Sequence, residues 1–462
     1  MILVDFFIIN AIKKYEKKIG LSVIFLFLSA FFNLHAQEIS GTWNGKLDLG
    51  TMSLRLVFHI NKTADGYRTT MDSPDQGVKD FAVDVTKFEN NLLHLSMPAL
   101  GASYEGTFEN DTIKGILKQM GQSFPLNLIK GEEKINRPQE PKSPFPYINK
   151  DVMFENPVAK ITLAGTLTLP EKDGKVPAVI LISGSGAQNR NEELLGHKPF
   201  LVLADFLTRN GIAVLRYDDR GTASSTGNFA VATTADFVVD AQAAFDYLRN
   251  RKEIDPEKIG LIGHSEGANV ATMVASENGE VNFIVMMAGA GVRGDSLLIL
   301  QNEALMRGLG MDETVIKSTL KQMREIYDVL IQNIDEQEKE RKVESLSKGE
   351  ISRQLIEVML SPWYQYFLKF NPETYLEKVK CPVLALNGLK DVQVPPDENL
   401  SAIKKAGIKG KNNKLKIKKL NDLNHLFQEC KTGLPIEYEE IEQTISPTVL
   451  NEILNFIKEQ VF

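Results

Sequence analysis

The sequence predicts an α/β domain with a mostly parallel central sheet and a helical insertion, preceded by a small all-β domain. Three observations support this prediction. From about residue 39 to residue 130, apolar residues alternate with polar ones at the period of a half-buried strand. From about residue 148 onward, short apolar runs alternate with helical patterns, as in parallel sheets covered by helices on both faces. Residues 296–378 interrupt that alternation with a charged, helical stretch.

The N-terminal segment has the pattern of a secretory signal peptide. A lysine cluster precedes the apolar run 19–32, and small or permissive residues at 34–36 precede a cleavage point at Gln37. The apolar run is shorter than the roughly 20 residues needed to cross a bilayer. We therefore predict cleavage of residues 1–36, a secreted or periplasmic location, and no stable membrane span in the mature protein.

Net charge and cysteine content argue against nucleic-acid binding and against a disulfide. The chain has a formal charge of −7 at pH 7, and removal of the signal segment, with four lysines and two acidic residues, leaves 49 basic against 58 acidic residues, or −9. Nucleic acid is therefore not an expected partner. Cys381 and Cys430 fall at opposite ends of the predicted sheet, so we expect no disulfide.

The first mature domain is predicted over residues 37–131. Apolar side chains occupy every second position from residue 52 to residue 60, and turn signals at 89–91 and 109–111 separate further short strands. This spacing predicts an antiparallel meander or a small barrel. Residues 132–147 are predicted to form a linker, because four prolines fall within a polar stretch there.

The second domain is predicted over residues 148–462. Five apolar runs are predicted as its central strands, namely residues 176–183, 212–217, 259–262, 283–288 and 383–387. The last two are far apart in the chain, so we interpret residues 296–378 between them as a helical cap over the end of the sheet. Its most polar part, 336–342, is predicted to be a solvated helix face. Four cap aromatics fit either an acyl pocket or the core: Trp363, Tyr364, Tyr366 and Phe367.

The pentapeptide Gly-His-Ser-Glu-Gly at residues 263–267 matches the G-x-S-x-G pattern of a nucleophile elbow. An apolar run leads into it, and a helical pattern of small residues, 268–275, leads out. Such a strand, tight turn and helix would lift the Ser265 hydroxyl above the end of the sheet, with glycines where larger side chains would collide. We therefore predict that Ser265 is a nucleophile.

A serine hydroxyl needs a neighbouring base before it can attack a carbonyl group. Among the six histidines only His425 follows Ser265 in the chain, and it comes just after the strand-like segment 415–420. A loop at the carboxyl edge of the sheet would place it near the elbow. His425 is therefore the predicted general base.

The base needs an orienting acid, which in this motif lies between the nucleophile and the histidine at a strand end. Asp391 follows the apolar run 383–387 and a short turn, and is the predicted acid. Asp397 and Glu398 are expected to begin the next helix, where a carboxylate complements the helix dipole. Asp295, after the preceding strand, is the remaining alternative.

Attack on a carbonyl develops negative charge that backbone N–H groups must stabilise. We expect one donor to be the N–H of Glu266, directly after the nucleophile. The second is expected from the glycine loop 183–186, with Ser185 or Gly186 as the donor. Glycine loops also cradle phosphates, but no G-x-x-x-x-G-K-[ST] pattern and no cluster with metal-ligand spacing occurs in the sequence. Neither a metal nor another cofactor is predicted.

Together these segments resemble the α/β-hydrolase superfamily, and more narrowly the secreted bacterial two-domain serine esterases known as serine aminopeptidase-like hydrolases. The resemblance is carried by residues 183–186, 216–221, 263–267, 387–391, 393–395 and 424–428. It implies an α/β-hydrolase fold with a helical cap, and Ser265, Asp391 and His425 as the catalytic triad. It also implies a mainly structural role for residues 216–221.

The function predicted from these residues is hydrolysis of small-molecule carboxylic esters of short to medium acyl chains through an acyl-enzyme. An aminopeptidase, an amidase or a thioesterase would use the same triad, and a non-catalytic envelope-binding protein is the alternative from another class. A peptidase would also need carboxylates to hold a free amine, for which Glu192, Glu193 and Glu266 are candidates. The sequence does not indicate an oligomeric state.

Overall fold

A computed structural model describes residues 39–48, 53–74, 78–119, 121–131, 136–349 and 351–462. The chain divides by its internal contacts into two compact units, with the boundary between Asn136 and Arg137. The predicted signal peptide, residues 1–36, lies outside the described residues, as does the 132–135 part of the predicted linker.

The N-terminal unit is all-β, as the sequence predicts. Its strands are β1 (Gly41–Asp48), β2 (Ser53–Thr63), β3 (Gly66–Ser73), β4 (Val78–Val83), β5 (Val85–Glu89), β6 (Leu92–Met97), β7 (Ala102–Glu109), β8 (Thr112–Gln119) and β9 (Gln122–Lys130). They form one antiparallel sheet in the order β4-β3-β2-β1-β9-β8-β7-β6-β5. A hydrogen bond of 2.9 Å from the Thr86 hydroxyl to the Thr69 hydroxyl joins β5 to β3, so the sheet curls around a single core.

The core of this unit depends on glycines that make room for Tyr104. The Tyr104 ring is fully buried, and its hydroxyl donates to the carbonyl groups of Ile113 and Leu126, both at 3.1 Å. A Cβ at Gly106 or Gly115 would lie 2.5 Å or 2.4 Å from that hydroxyl. The two glycines are therefore required by close packing across β7 and β8.

The C-terminal unit contains one eight-stranded sheet. Its strands are β10 (Tyr147–Asn156), β11 (Ile161–Pro170), β12 (Val176–Ile182), β13 (Ala213–Tyr217), β14 (Ile254–His264), β15 (Phe283–Met287), β16 (Val383–Gly388) and β17 (Leu415–Leu420). The order is β10-β11-β13-β12-β14-β15-β16-β17. The pairs β10 with β11 and β11 with β13 are antiparallel, and the remaining pairs are parallel.

Helices cover both faces of this sheet, which confirms the predicted α/β-hydrolase fold. The helices that pack on the sheet are α1 (Pro199–Arg209), α2 (Thr234–Arg249), α3 (Glu266–Glu277), α10 (Pro396–Lys409) and α11 (Pro447–Val461). Apolar residues of α2, α3 and α10 form the core on one face, and those of α1 and α11 form the core on the other. No helix among the described residues is long and apolar enough to cross a membrane.

The insertion between β15 and β16 is helical, as predicted. Its helices are α4 (Gly294–Gly308), α5 (Glu313–Leu330), α6 (Glu336–Ser347), α7 (Arg353–Leu360), α8 (Pro362–Lys369) and α9 (Glu373–Leu376). Four of them begin after a residue whose side chain accepts a hydrogen bond from an N-terminal backbone N–H, namely Asp312, Asp335, Ser352 and Ser361. Such caps satisfy backbone donors that have no acceptor inside the helix.

Two strands were not predicted, and one was predicted too short. The strands β10 and β11 form an edge hairpin, and β10 alternates buried with exposed residues and contains the polar residues Asn149, Lys150 and Asp151. It therefore lacks the continuous apolar run that marked the central strands. The strand β14 begins five residues before the predicted apolar run, where polar residues such as Glu257 and Lys258 obscure its start.

The part of the predicted linker after Asn136 is fixed to the C-terminal unit by hydrogen bonds. The Arg137 guanidinium donates to the carbonyl groups of Leu195, Glu439 and Ile441 at 2.8 to 3.1 Å. The Gln139 side chain bonds to the backbone of Ile445 in both directions.

The strand order brings two loops together at the centre of the sheet. The strands β12 and β14 are neighbours, yet the chain leaves β12 toward β13 on one side and continues from β14 toward β15 on the other. Ligands of open α/β sheets bind at such a switch point, beyond the carboxyl ends of the strands. The loops after β12 and β14 are the predicted glycine loop and the predicted elbow.

Candidate active site

The residues 263–267 form a sharp turn between β14 and α3. Ser265 has φ 53° and ψ −119°, a strained conformation for a residue with a side chain, and its N–H donates to the Met287 carbonyl at 2.8 Å. A Cβ at Gly263 would lie 2.0 Å from the Gly267 carbonyl oxygen, and one at Gly267 would lie 2.1 Å from the Ile182 carbonyl oxygen. Both glycines are thus sterically required, and Ser265 stands partly exposed at the carboxyl end of β14.

His425 and Asp391 form a buried pair. The Nδ1 atom of His425 lies 2.8 Å from Oδ2 of Asp391, and the two residues are 5% and 3% exposed. The other carboxylate oxygen, Oδ1, accepts the N–H groups of Gln393 and Val394, each at 2.8 Å. Since a carboxylate can only accept, Nδ1 must carry a proton, which leaves Nε2 of a neutral ring as a base.

The structure places His425 beside the elbow. The ring of His264, which precedes Ser265 in the chain, lies against the ring of His425 with 4.8 Å between the centroids. No hydrogen bond joins Ser265 to His425 among the described residues. In ligand-free enzymes of this kind the nucleophile and the base often come into hydrogen-bond contact only when substrate binds.

The alternative acids have other partners. Asp397 and Glu398 lie in the first turn of α10, as predicted, and Asp397 forms an exposed ion pair with Lys419. Asp295 lies in the first turn of α4 and pairs with Arg293. Within the described residues, none of these carboxylates is hydrogen bonded to a histidine.

The predicted oxyanion donors belong to two segments next to Ser265, the start of α3 and the glycine loop. Glu266 is the first residue of α3, so its N–H has no acceptor within its own helix. A Cβ at Gly184 would lie 3.2 Å from Cβ of Ser265, which shows how closely the glycine loop approaches the predicted nucleophile. The N–H of Gly184 itself donates to Glu192 at 2.7 Å, so this group is occupied. Ser185 and Gly186, the predicted donors, follow it, and Gly186 has φ 101°.

The segment 216–221 holds the glycine loop in place. Arg190 forms a two-point ion pair with Asp218 at 2.8 and 3.0 Å. Asp219 accepts the Ser183 hydroxyl at 2.8 Å and the Gln188 N–H at 2.9 Å. Burial raises the pKa of Asp219 to about 8, even though both hydrogen bonds favour its ionised form.

One buried ion pair at the site was not predicted. Glu192 lies 2.9 Å from Nδ1 of His264, and Nε2 of His264 lies 2.9 Å from the backbone carbonyl oxygen of His425. Burial by itself lowers the pKa of His264, but the Glu192 carboxylate, the hydrogen bond to the His425 backbone and the Asp391 carboxylate together outweigh it, and the pKa lies above its ordinary value. No local sequence pattern indicates this contact, because 72 residues separate the two partners.

The cap contacts the elbow through Trp363. The indole N–H donates to both carboxylate oxygens of Glu266, at 2.9 and 3.0 Å, and the Thr234 hydroxyl donates to the same carboxylate at 2.5 Å. Burial raises the pKa of Glu266 despite these donors.

The four cap aromatics have different neighbours. Trp363 stacks on Phe367 with 5.2 Å between ring centroids. Tyr364 is buried and its hydroxyl bonds to Tyr327, which places it in the core of the cap. Tyr366 is partly buried and stacks on Phe370. Of the four, only Trp363 is hydrogen bonded to Glu266, the residue after Ser265.

Comparison with known protein families identifies the chain. The family model described as "X-Pro dipeptidyl-peptidase (S15 family)" matches residues 160–417, which is more than half of the chain. The chain belongs to this family. The match covers β12, the glycine loop, the elbow, the cap and Asp391, and His425 follows it. The protein is therefore a hydrolase of the α/β-hydrolase superfamily, as the sequence resemblance implied.

Relatives and solved structures have hydrolase names. Esterase EstD of Thermotoga maritima is 26% identical over 320 residues, covering 67% of this chain and 69% of that protein. Acyl-coenzyme A thioesterase 5 of Mus musculus is 28% identical over 176 residues, 38% of each chain. A Pyrococcus furiosus esterase structure matches with a TM-score of 0.43 at 17% identity, covering 72% of this chain and 100% of its own.

Proposed function

We propose that the protein is a serine esterase that cleaves carboxylic esters of short to medium acyl chains through an acyl-enzyme. Ser265 is the nucleophile, His425 the general base and Asp391 the residue that orients it. The observation that carries the proposal is the buried His425–Asp391 pair beside an elbow that holds Ser265 in a strained, partly exposed conformation.

The proposed reaction uses these groups in order. The Ser265 oxygen attacks the ester carbonyl carbon while Nε2 of His425 takes the hydroxyl proton. The oxyanion accepts the N–H of Glu266 and an N–H from Ser185 or Gly186. His425 then gives its proton to the departing alcohol, and a water molecule, activated by the same nitrogen, hydrolyses the acyl-enzyme.

Two of the three candidate carboxylates, Glu192 and Glu266, are buried and already paired within the protein, which favours an ester over a peptide with a free N-terminus. Glu192 is hydrogen bonded to Gly184 and His264. Glu266 is bonded to Thr234 and Trp363, and it is 5% exposed. A substrate ammonium would have to displace these donors from buried sites, which costs the desolvation of each group left unpaired. The likeness to an esterase supports the same choice.

A substrate panel tests the proposal. The purified protein is assayed with p-nitrophenyl acetate, butyrate and octanoate, with an acyl thioester and with an aminoacyl p-nitroanilide. We expect turnover of the short and medium esters, loss of that turnover in Ser265→Ala, and wild-type turnover in Ser318→Ala, which removes an exposed cap hydroxyl.

Other outcomes of the panel would exclude this function. Faster turnover of the anilide or the thioester would assign the site to an aminopeptidase or a thioesterase. Equal ester turnover by wild type and Ser265→Ala would refute the nucleophile. A wild type that no fluorophosphonate labels would favour a binding protein.

We also propose that the enzyme acts outside the cytoplasm. The lysine cluster, the short apolar run and the small residues before Gln37 support export with cleavage after residue 36.

A further inference from the structure

We propose that Glu192 and His264 are positioning residues. They hold the glycine loop 183–186 and the loop that contains His425 in fixed positions relative to Ser265. This inference rests on the proposed function, and it assigns a role to two side chains that take no part in bond making or breaking. It follows from three hydrogen bonds that connect the loop after β12, the last residue of β14 and the loop after β17.

The first segment that the Glu192–His264 pair holds is the glycine loop after β12. A single oxygen, Oε1 of Glu192, accepts the N–H of Gly184 at 2.7 Å and faces Nδ1 of His264 at 2.9 Å. Gly184 lies against Ser265, and the predicted oxyanion donors follow it directly. A shift of Glu192 would therefore move Ser185 and Gly186 relative to the nucleophile.

The second segment is the loop after β17. The Nε2 atom of His264 lies 2.9 Å from the carbonyl oxygen of His425, so the bond holds the backbone of the proposed general base. The side chain of His425 is held separately by Asp391. Position and orientation of the base thus come from two different residues.

The two partners of His264 decide its charge. A backbone carbonyl oxygen can only accept a hydrogen bond, and an ionised carboxylate can only accept as well. Both ring nitrogens must therefore carry protons if both bonds are made, and the ring is an imidazolium paired with the Glu192 carboxylate. The pair is buried, with His264 6% and Glu192 5% exposed, so a charge-assisted bond there is little screened.

The surroundings of His264 support this protonated form. The groups that face the ring are Glu192, the His425 ring, the Phe427 ring and, at longer range, Asp391. Burial opposes the charge, but the two carboxylates outweigh it, and the pKa of His264 is raised. As the pH rises through that pKa, His264 loses one proton and therefore one of its two hydrogen bonds.

Burial separates this role from substrate binding. Both side chains are nearly inaccessible, and Oε1 of Glu192 and both ring nitrogens of His264 are occupied by protein groups. Their loss should therefore lower kcat, which depends on the geometry of the reacting groups, more than it changes KM. A misplacement of catalytic groups by about 1 Å costs on the order of 100-fold in rate.

The test compares Glu192→Gln and His264→Gln with Glu344→Gln, which neutralises an exposed carboxylate on α6 of the cap. The full protein is assayed with p-nitrophenyl butyrate for kcat and KM from pH 5 to 10, and folding is followed by Tm. We expect each variant at the pair to lose on the order of 100-fold in kcat with KM within about threefold. The control should match wild type.

Two further readouts distinguish positioning from a merely structural role. The double variant should lose no more kcat than either single one, since both changes break one connection. In the wild type, kcat should fall at alkaline pH as His264 loses a proton. This fall should be absent in His264→Gln. If Glu192→Gln does not fold, Glu192→Asp, which keeps the charge and shortens the reach, supplies the same comparison.

The outcomes for the pair and for the proposed function are distinct. A wild type that neither turns over esters nor reacts with a fluorophosphonate would refute the proposed function. An active wild type with pair variants of unchanged kcat would refute only the positioning role. So would a loss of kcat that merely follows a loss of folded protein, with an unchanged pH profile.

Discussion

Replacement of Asp391 by asparagine tests the orientation of His425 with almost no change of shape. The Oδ1 atom of Asp391 accepts two backbone N–H groups, from Gln393 and Val394. Asparagine keeps these two bonds only if its oxygen stays at that position, and its NH₂ group then faces Nδ1 of His425. A flipped amide would bring NH₂ against two backbone donors and lose both bonds, so the first orientation is preferred.

That orientation reverses the tautomer of His425. The NH₂ group can only donate, so Nδ1 must accept and the ring proton moves to Nε2. A ring protonated at Nε2 cannot take the Ser265 proton. In the Ser-His-Asp template this exchange lowers kcat by about 10⁴-fold, which corresponds to about 5 kcal/mol of transition-state stabilisation. We expect a loss of similar size here, with a small change in Tm because the backbone bonds remain.

The assay is kcat for p-nitrophenyl butyrate, with Tm measured on the same preparations. Asp397→Asn is the matched control, because Asp397 lies exposed in the first turn of α10 and pairs only with a surface lysine. It should retain wild-type kcat. An Asp391→Asn enzyme within tenfold of wild type would refute the assignment of Asp391 as the orienting acid.

Three further predictions concern Trp363, Asp219 and the cleavage site before Gln37. Trp363→Phe removes the indole donor from the buried Glu266 carboxylate, and we expect a loss of about 1 to 3 kcal/mol in unfolding free energy, measured by urea melts, with altered acyl-chain preference. The raised pKa of Asp219 means that the native state stays protonated where the unfolded state ionises, so the unfolding free energy should fall as the pH rises from about 4 to about 8. Asp219→Asn should flatten that dependence in urea melts. N-terminal sequencing of the exported protein should begin at Gln37, and a start within residues 1–36 would contradict cleavage there.

Local sequence patterns predicted the elbow because steric rules act over a few residues. Gly263 and Gly267 are required within one turn, and the flanking strand and helix have their own periodicity. The choice of His425 rested on chain order alone, and that of Asp391 on its position after a strand. The structure shows these two side chains hydrogen bonded.

The contacts that escaped prediction join residues far apart in the chain. Glu192 lies in the loop after β12 and His264 is the last residue of β14, and nothing in either local pattern indicates that they meet. Trp363 has the spacing of a core aromatic, and only the packing of α8 shows that its N–H reaches Glu266. The edge strand β10 was missed because one of its faces is polar.

The cap is separate in the chain from the proposed catalytic residues. The cap lies between β15 and β16, which pair directly as parallel neighbours, so the sheet is continuous beneath it. The proposed nucleophile, acid and base follow β14, β16 and β17, and none of them belongs to the cap. Changes in cap sequence can therefore leave the proposed triad in place. The Trp363–Glu266 contact is the exception, since it bonds the cap to the residue whose N–H is the proposed oxyanion donor. Substitutions at Trp363 should thus lower kcat for p-nitrophenyl butyrate, whereas substitutions at exposed cap residues such as Ser318 should leave kcat unchanged.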